Sequence, residues 1–303
     1  MNIFVDSGLN DDQRRHELYR GSIFVHSPCS GARKLCQLAQ QLLEEAFAPL
    51  DPQTTHETMP AEQCAQILSV VKPKFIHHPS AKLHIQEMLS QLGCDLEKTY
   101  FDVPRLRSAF PGEYLKSGIA YAFHAHRDTW YSAPLCQINW WMPIYELTAE
   151  NCMAIHPRYW SQAIKNGSKE YNYHKWNLES RFNAAKNVKT DARIQPHPEE
   201  TIDLEPEVRT VCPVGGAYQF SAAQLHSTVP NTSGVARYSI DFRTVHLDDV
   251  LNRVGAPNID SACTGTTIGD YLKGTDCSHL PPEAMALYFD GTELQYARAE
   301  SIR

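Results

Sequence analysis

From about residue 98 to residue 246 the chain is a succession of short apolar runs, rich in β-branched and aromatic residues: TYFDVPRLR, SGIAYAFHAH, LCQINWWMPIYEL, CMAIHP, EVRTVCPV, GAYQFSA and ARYSIDFRTVHL. Gly, Pro, Asn and Ser separate them. Many short strands with turn signals between them predict a β-sandwich or barrel. The first ~95 residues have a different, helical texture. In ARKLCQLAQQLLEEAFAPL, Leu35, Leu38, Leu42 and Ala46 recur at helical spacing until Pro49 stops the pattern. PAEQCAQILSVV (60–71) reads as a second helix, and SAKLHIQEMLSQLG (80–93) as a third, with Ser80 as its N-cap and Gly93 as its stop.

Composition narrows the function. A chain of 303 residues can bury a large core as one big domain or two small ones. A formal net charge of −7 argues against a nucleic-acid partner, because phosphate neutralisation needs a basic surface. No apolar run approaches the roughly 18–20 residues of a membrane span. The N-terminal segment has acidic residues and no long apolar stretch, unlike a secretory signal. The nine cysteines are scattered, with no C-x-x-C pair, and read as reduced thiols in a cytoplasmic protein.

The stretch YAFHAHRDTW (121–130) carries the chemistry. On a strand, residues two apart share a face, so His126 and Asp128 point together, with His124 one step behind and Arg127 pointing away. A buried imidazole beside a buried carboxylate is costly unless compensated, and a metal ion compensates it. His226, 98 residues after Asp128 at a strand-to-loop edge, offers the third ligand. Two imidazoles and a carboxylate on one side of an octahedron leave three positions open, which suits non-haem Fe(II) binding a cosubstrate and O2 together. Eleven residues after His226 comes Arg237, sharing a strand face with Ser239. An arginine inside a barrel needs a carboxylate partner, and a dicarboxylate cosubstrate would supply one.

These residues, H-R-D at 126–128, ENCMAIHP at 150–157, VGGAYQFSAAQLHSTVPNTS at 214–233 and RYS at 237–239, resemble the phytanoyl-CoA dioxygenase-like group of Fe(II)- and 2-oxoglutarate-dependent dioxygenases over roughly residues 114–245. The G-S-H segment that follows E-N-G in that group is missing here. The resemblance implies a mainly β fold with flanking helices, built on a double-stranded β-helix (a jelly-roll, cupin-like core). It implies that His126, Asp128 and His226 ligate Fe(II), and that Arg237 holds the distal carboxylate of 2-oxoglutarate, helped by Thr228 and Ser239. Gln137 and Asn139, on the next strand, are expected to line the pocket or face solvent. Arg243 is the rival of Arg237 for the carboxylate, or else an ion-pair partner of Asp241 or another acid. His124 is expected behind the ligands or in a core hydrogen bond, and Arg127 at the surface or anchoring a loop. The implied reaction consumes 2-oxoglutarate and O2 and oxidises an unactivated C–H bond, by hydroxylation, desaturation or ring closure. Halogenating relatives replace the aspartate by a small residue, and Asp128 is present.

One domain is expected over 1–303. It comprises a helical region (1–97), a jelly-roll core (98–248) with a lid-like insert at 158–200, and a C-terminal extension (249–303). The insert carries eight basic residues against three acids before its final Glu pair, interleaved with aromatics. Read as functional, it closes over a small anionic, carboxylated substrate through Lys175, Trp176 and Arg181; read otherwise, it is a solvated helical insert. Arg105, Arg107 and Lys116 are candidate anion contacts from the other wall. The C-terminal extension, with one helix expected at 281–289, either buttresses the barrel or pairs with a second subunit in a homodimer. Two rival readings remain: a cupin-type metalloenzyme that does not use 2-oxoglutarate, and a non-catalytic jelly-roll binding protein.

Overall fold

The computed structural model describes residues 1–115, 124–179 and 195–293. Its elements run β1 (Ile3–Val5), α1 (Asp11–Leu18), β2 (Ile23–His26), α2 (Ser30–Phe47), α3 (Ala61–Ile76), α4 (Pro79–Gln91), β3 (Thr99–Phe101), β4 (Arg105–Ala109), β5 (Ile138–Pro143), β6 (Met153–Ile155), α5 (Tyr173–Glu179), β7 (Val208–Thr210), β8 (Ala217–Ser221), β9 (His226–Thr228), β10 (Arg237–His246), α6 (Leu247–Asn252), β11 (Leu272–Lys273) and α7 (Pro282–Ala286). The major sheet has the order β1-β2-β8-β5-β10-β3-β11, with β4 beside β3 on the same edge of β10. A smaller sheet, β7-β6-β9, faces it. Among the described residues neither sheet closes on itself, so the pair forms an open jelly roll with helices outside.

Alternation along the strands gives the major sheet two buried faces with different chemistry. On β5, Ile138, Trp140 and Met142 pack into the large core shared with α2, α3 and α4. Trp141 points the other way, joining Tyr218 and Phe220 of β8 and Cys152, Met153 and Ile155 of the small sheet. On β10, Tyr238, Ile240 and Phe242 likewise face the helical core. Arg237, Ser239, Asp241 and Arg243 thereby fall on the inner face, between the sheets. A polar stripe there is costly unless its members find partners.

The helical region departs from expectation in two respects. Its first 26 residues supply β1 and β2, a parallel pair that β2 joins to the major sheet through β8. The IFV triplets are too short to show a period, and their partner strand lies almost 200 residues away. Ser80 is not the N-cap of α4. Pro79 takes the first helical position, and the His78 imidazole accepts from the Ser80 amide at 3.2 Å. α2 and α4 pack closely because Gly31 opens α2: a Cβ there would lie 2.3 Å from the Met88 amide nitrogen. The C-terminal segment folds back onto the core, where Tyr271, Leu280 and Ala284 are buried. Within it the expected helix at 281–289 is the five-residue α7.

Candidate metal and cosubstrate site

His126 and His226 are locked together by their backbones. Each amide donates to the other's carbonyl, at 2.9 and 3.0 Å, in an isolated bridge that brings the ring centroids to 4.3 Å. The strand expected at 118–123 lies outside the described residues. Beyond His126 the chain does not stay extended: Asp128 opens a 3-10 turn, Asp128–Tyr131, closed by Ser132 in the left-handed region at φ 63°. Asp128 therefore reaches the histidines from a turn rather than from a shared strand face. Its Oδ1 lies 3.5 Å from His126 Nε2 and 3.8 Å from His226 Nε2. The candidate ligand atoms of these three buried residues all lie within 4.8 Å of one another.

The tautomers follow from the second ring nitrogens. His126 Nδ1 meets the His124 carbonyl at 2.8 Å, and His226 Nδ1 meets the Gln224 carbonyl at 3.0 Å. A carbonyl can only accept, so each Nδ1 carries the proton and each Nε2 turns a lone pair toward the centre, the form a metal requires. Burial, with the His126 imidazole beside it, pushes the His226 pKa down to about 3, so that ring stays neutral. Burial raises the Asp128 pKa, but the Arg243 guanidinium outweighs it and holds the carboxyl well below the usual range. The result is two neutral nitrogen donors and one anionic oxygen, a donor set that fits Fe(II).

The His124 side chain is exposed, and its carbonyl does the orienting. Arg127 is not at the surface but fully buried. It donates to the carbonyls of Ala223, Tyr159 and Gln162 and pairs with Asp260, which also accepts from the Trp130 indole at 2.6 Å. It anchors three loops around the turn that carries Asp128. Gln137 and Asn139 are both buried in the cavity wall, and Gln137 Nε2 donates to Asp128 Oδ2 at 3.0 Å.

The triad opens into a cavity of ≈ 680 Å³ between the sheets, and Arg237 and Thr228 line it too. Arg237 is buried, with its guanidinium 5.5 Å above the Trp141 ring. Its only described hydrogen bonds are long ones, 3.4 and 3.3 Å, to the Asn151 and Cys152 carbonyls. Among the described residues its Nε has no partner and no carboxylate is within ion-pair reach. Burial lowers its pKa to about 10, so it remains a cation. Two further buried hydroxyls near it, Ser239 Oγ and Tyr218 Oη, also lack hydrogen-bond partners. A carboxylate placed beside Arg237 would give the guanidinium its missing partner, so the distal end of a dicarboxylate fits, whereas Ser239 and Tyr218 do not line the cavity. Arg243 lies elsewhere, between Asp102 (3.3 Å) and Asp128 Oδ2 (3.6 Å).

Of the candidate substrate residues, Trp176 lines the cavity, with Tyr131 and Tyr171 making an aromatic wall that starts at His126. Arg105 and Arg107 line it as well, paired with Asp102 (2.6 Å) and Asp241 (2.5 Å). Lys175 is exposed and does not face the cavity. Arg181 and Lys116 lie outside the described residues. Sequence reasoning missed Tyr218, Asp102 and Tyr271. Tyr218 could have been found, since it alternates with Phe220 on the inward face of β8, whereas nothing local marks the other two.

No family model matches the chain, and no curated protein matches it. Among solved structures, it is similar to EvdO2 from Micromonospora carbonacea var. aurantiaca complexed with 2-oxoglutarate (15% identity over 79% of this chain and 92% of that one, TM-score 0.43). It is also similar to the epimerase SnoN in complex with Fe3+, alpha ketoglutarate and nogalamycin RO (13%, 78% and 85%, TM-score 0.40). A third is the non-heme alpha ketoglutarate dependent carbocyclase SnoK from nogalamycin biosynthesis (14%, 83% and 94%, TM-score 0.38). Likeness at this level does not carry a chemical conclusion, which rests on the geometry of the site.

Proposed function

We propose that this chain is an Fe(II)- and 2-oxoglutarate-dependent oxygenase that oxidises an unactivated C–H bond of a small molecule. The observation that carries the reading is one cavity holding both a His-Asp-His donor set in its metal-binding tautomers and a buried arginine with no carboxylate partner among the described residues. His126 Nε2, His226 Nε2 and Asp128 Oδ1 would hold the iron. Arg237, with Thr228 in the same cavity wall, would hold the distal carboxylate of 2-oxoglutarate. Bound there, iron, 2-oxoglutarate and O2 supply the oxidising power, with 2-oxoglutarate leaving as succinate and CO2. The chain's own work is to fix the donors, keep the His226 imidazole neutral, exclude water behind Trp141, Phe220 and Met153, and position the substrate against the aromatic wall.

Arg237 separates this reading from a cupin-type metalloenzyme, which has no use for a buried carboxylate anchor. A non-catalytic binding protein would have no need of three aimed ligands. Of the cations expected to meet an anionic substrate, Arg105 and Arg107 already hold carboxylates, so an anion there would join an existing ion pair. The nine cysteines are all free thiols, in keeping with a reducing, cytoplasmic setting. Among the described residues no helix is long and apolar enough to cross a membrane.

The test is anaerobic titration of the Fe(II)-loaded protein with 2-oxoglutarate, following the visible metal-to-ligand charge-transfer band. A band that weakens in Asp128→Ala and Arg237→Ala supports the reading. Bound metal with no band in the wild type would overturn it in favour of the cupin-type alternative.

A further inference from the structure

Asp128 has two oxygens in two different environments. Oδ1 faces both imidazole Nε2 atoms. Oδ2 is turned the other way, accepting from Gln137 Nε2 at 3.0 Å with Arg243 Nε at 3.6 Å. Neither neighbour is free to rotate. Tyr271 donates to Gln137 Oε1 at 2.7 Å, which forces the amide NH2 toward Asp128, where it also meets Asn139 Oδ1 at 2.8 Å. Arg243 is held by Asp102, whose Oδ2 accepts from Arg243 Nη1 at 3.3 Å and whose Oδ1 accepts from the Arg243 amide at 2.7 Å. Asp102 is fixed in turn by its own amide, which donates to the Arg243 carbonyl at 3.0 Å, and by Arg105 at 2.6 Å. All these anchors are buried or half-buried, so the orientation is set before any ligand arrives.

We propose that Gln137 and Arg243, set by Tyr271 and Asp102, are positioning residues that hold back Asp128 Oδ2 so that the carboxylate ligates through Oδ1 alone. The inference rests on the oxygenase reading for its purpose. With three protein atoms bound, an octahedral metal keeps three positions, two for a chelating 2-oxoacid and one for O2; a second aspartate oxygen would take the last. Tyr271 and Asp102 lie far from Asp128 in sequence and on different elements. The C-terminal segment and the β3–β4 connection thus contribute to the metal site without touching the metal.

The test uses Zn(II), a redox-silent probe, on the full chain labelled with 13C-aspartate. The infrared difference between metal-loaded and metal-free protein isolates the carboxylate that ligates. Ligation through one oxygen separates the symmetric and antisymmetric stretches widely, and ligation through two brings them together. The wild type is expected to show the wide separation, and Gln137→Leu and Arg243→Met a narrowed one. Tyr271→Phe, which removes one hydroxyl and little packing, is expected to shift the same way by less. Arg243→Lys should recover part of the separation, because a cation returns beside Oδ2. A narrow separation in the wild type, or an unchanged one in both Gln137→Leu and Arg243→Met, would overturn the proposal. So would variants that no longer bind Zn(II), since the pair would then be holding the site together rather than aiming one oxygen. Because the probe needs neither 2-oxoglutarate nor turnover, this outcome is independent of the charge-transfer titration that tests the oxygenase reading.

Discussion

Replacing Arg237 by Met should separate the arginine's two possible jobs, because they predict opposite energetics. Consider the metal-free protein first. The unpaired Nε costs the folded state about 1–3 kcal/mol, which the variant recovers. The variant loses the cation–π contact with Trp141, worth about 0.5–2 kcal/mol, and two long hydrogen bonds to carbonyls. Cys152 O keeps the Val229 amide as a donor, so it is not orphaned. Met fills much of the volume and removes a buried cation that has no carboxylate beside it, so the variant should be at least as stable as the wild type to within about 1 kcal/mol. An arginine that serves a structural ion pair behaves otherwise, since breaking such a pair costs about 3–5 kcal/mol. Ligand binding should move far more. Two charge-assisted hydrogen bonds to a carboxylate, at about 1.5–3 kcal/mol each, amount to a loss of roughly 10²–10⁴ in 2-oxoglutarate affinity. Urea unfolding of the metal-free protein gives the first quantity, and the anaerobic titration of the Fe(II) form gives the second. A variant destabilised by more than about 3 kcal/mol that still binds 2-oxoglutarate with wild-type affinity would refute the reasoning.

Other outcomes follow from the same geometry. Asp128→Ala should abolish tight Fe(II) binding while leaving the far-ultraviolet circular dichroism unchanged; equilibrium dialysis with Fe(II) checks this. Asp260→Asn should strip Arg127 of its only described carboxylate and cost about 3–5 kcal/mol in urea unfolding, with Asp203→Asn as a surface control worth under about 1 kcal/mol. Stability of the metal-free protein should fall as pH drops below about 6.5, because His226 stays neutral in the folded state down to about 3 while the unfolded chain takes up the proton. His26, His156 and His246 shift in the same direction, so the share owed to His226 is the part of the slope that His226→Asn removes.

What could be read in advance depended on whether a residue's job is local. The β10 alternation fixed which side chains face inward, and the spacing of His126, Asp128, His226 and Arg237 marked a site because each residue type is expensive to bury without a ligand. The strand geometry assumed for Asp128 did not hold. The turn that carries it is set by Arg127, Trp130 and Asp260, and no pattern within ten residues reveals a carboxylate 130 residues away. For the same reason the sequence left Arg127 open between the surface and a loop anchor, and the structure shows the anchor. Its neighbours are backbone carbonyls, which a sequence does not display. β1 and β2 were hidden because three or four residues carry too little periodicity, and only their pairing with β8 makes them strands. Lys175 was chosen for its charge within a basic block, but on α5 it is Trp176 that faces the cavity.

The tie between Arg127 and Asp260 bears on how the protein is made. A ribosome delivers the metal-binding turn long before it delivers the carboxylate that holds that turn in place, and Tyr271 comes later still. The nascent chain therefore carries His126, Asp128 and His226 for some time without the frame that aims them. We expect a chain stopped after residue 255 to load Fe(II) weakly, and a completed chain to load it tightly; dialysis of the two against Fe(II) compares them.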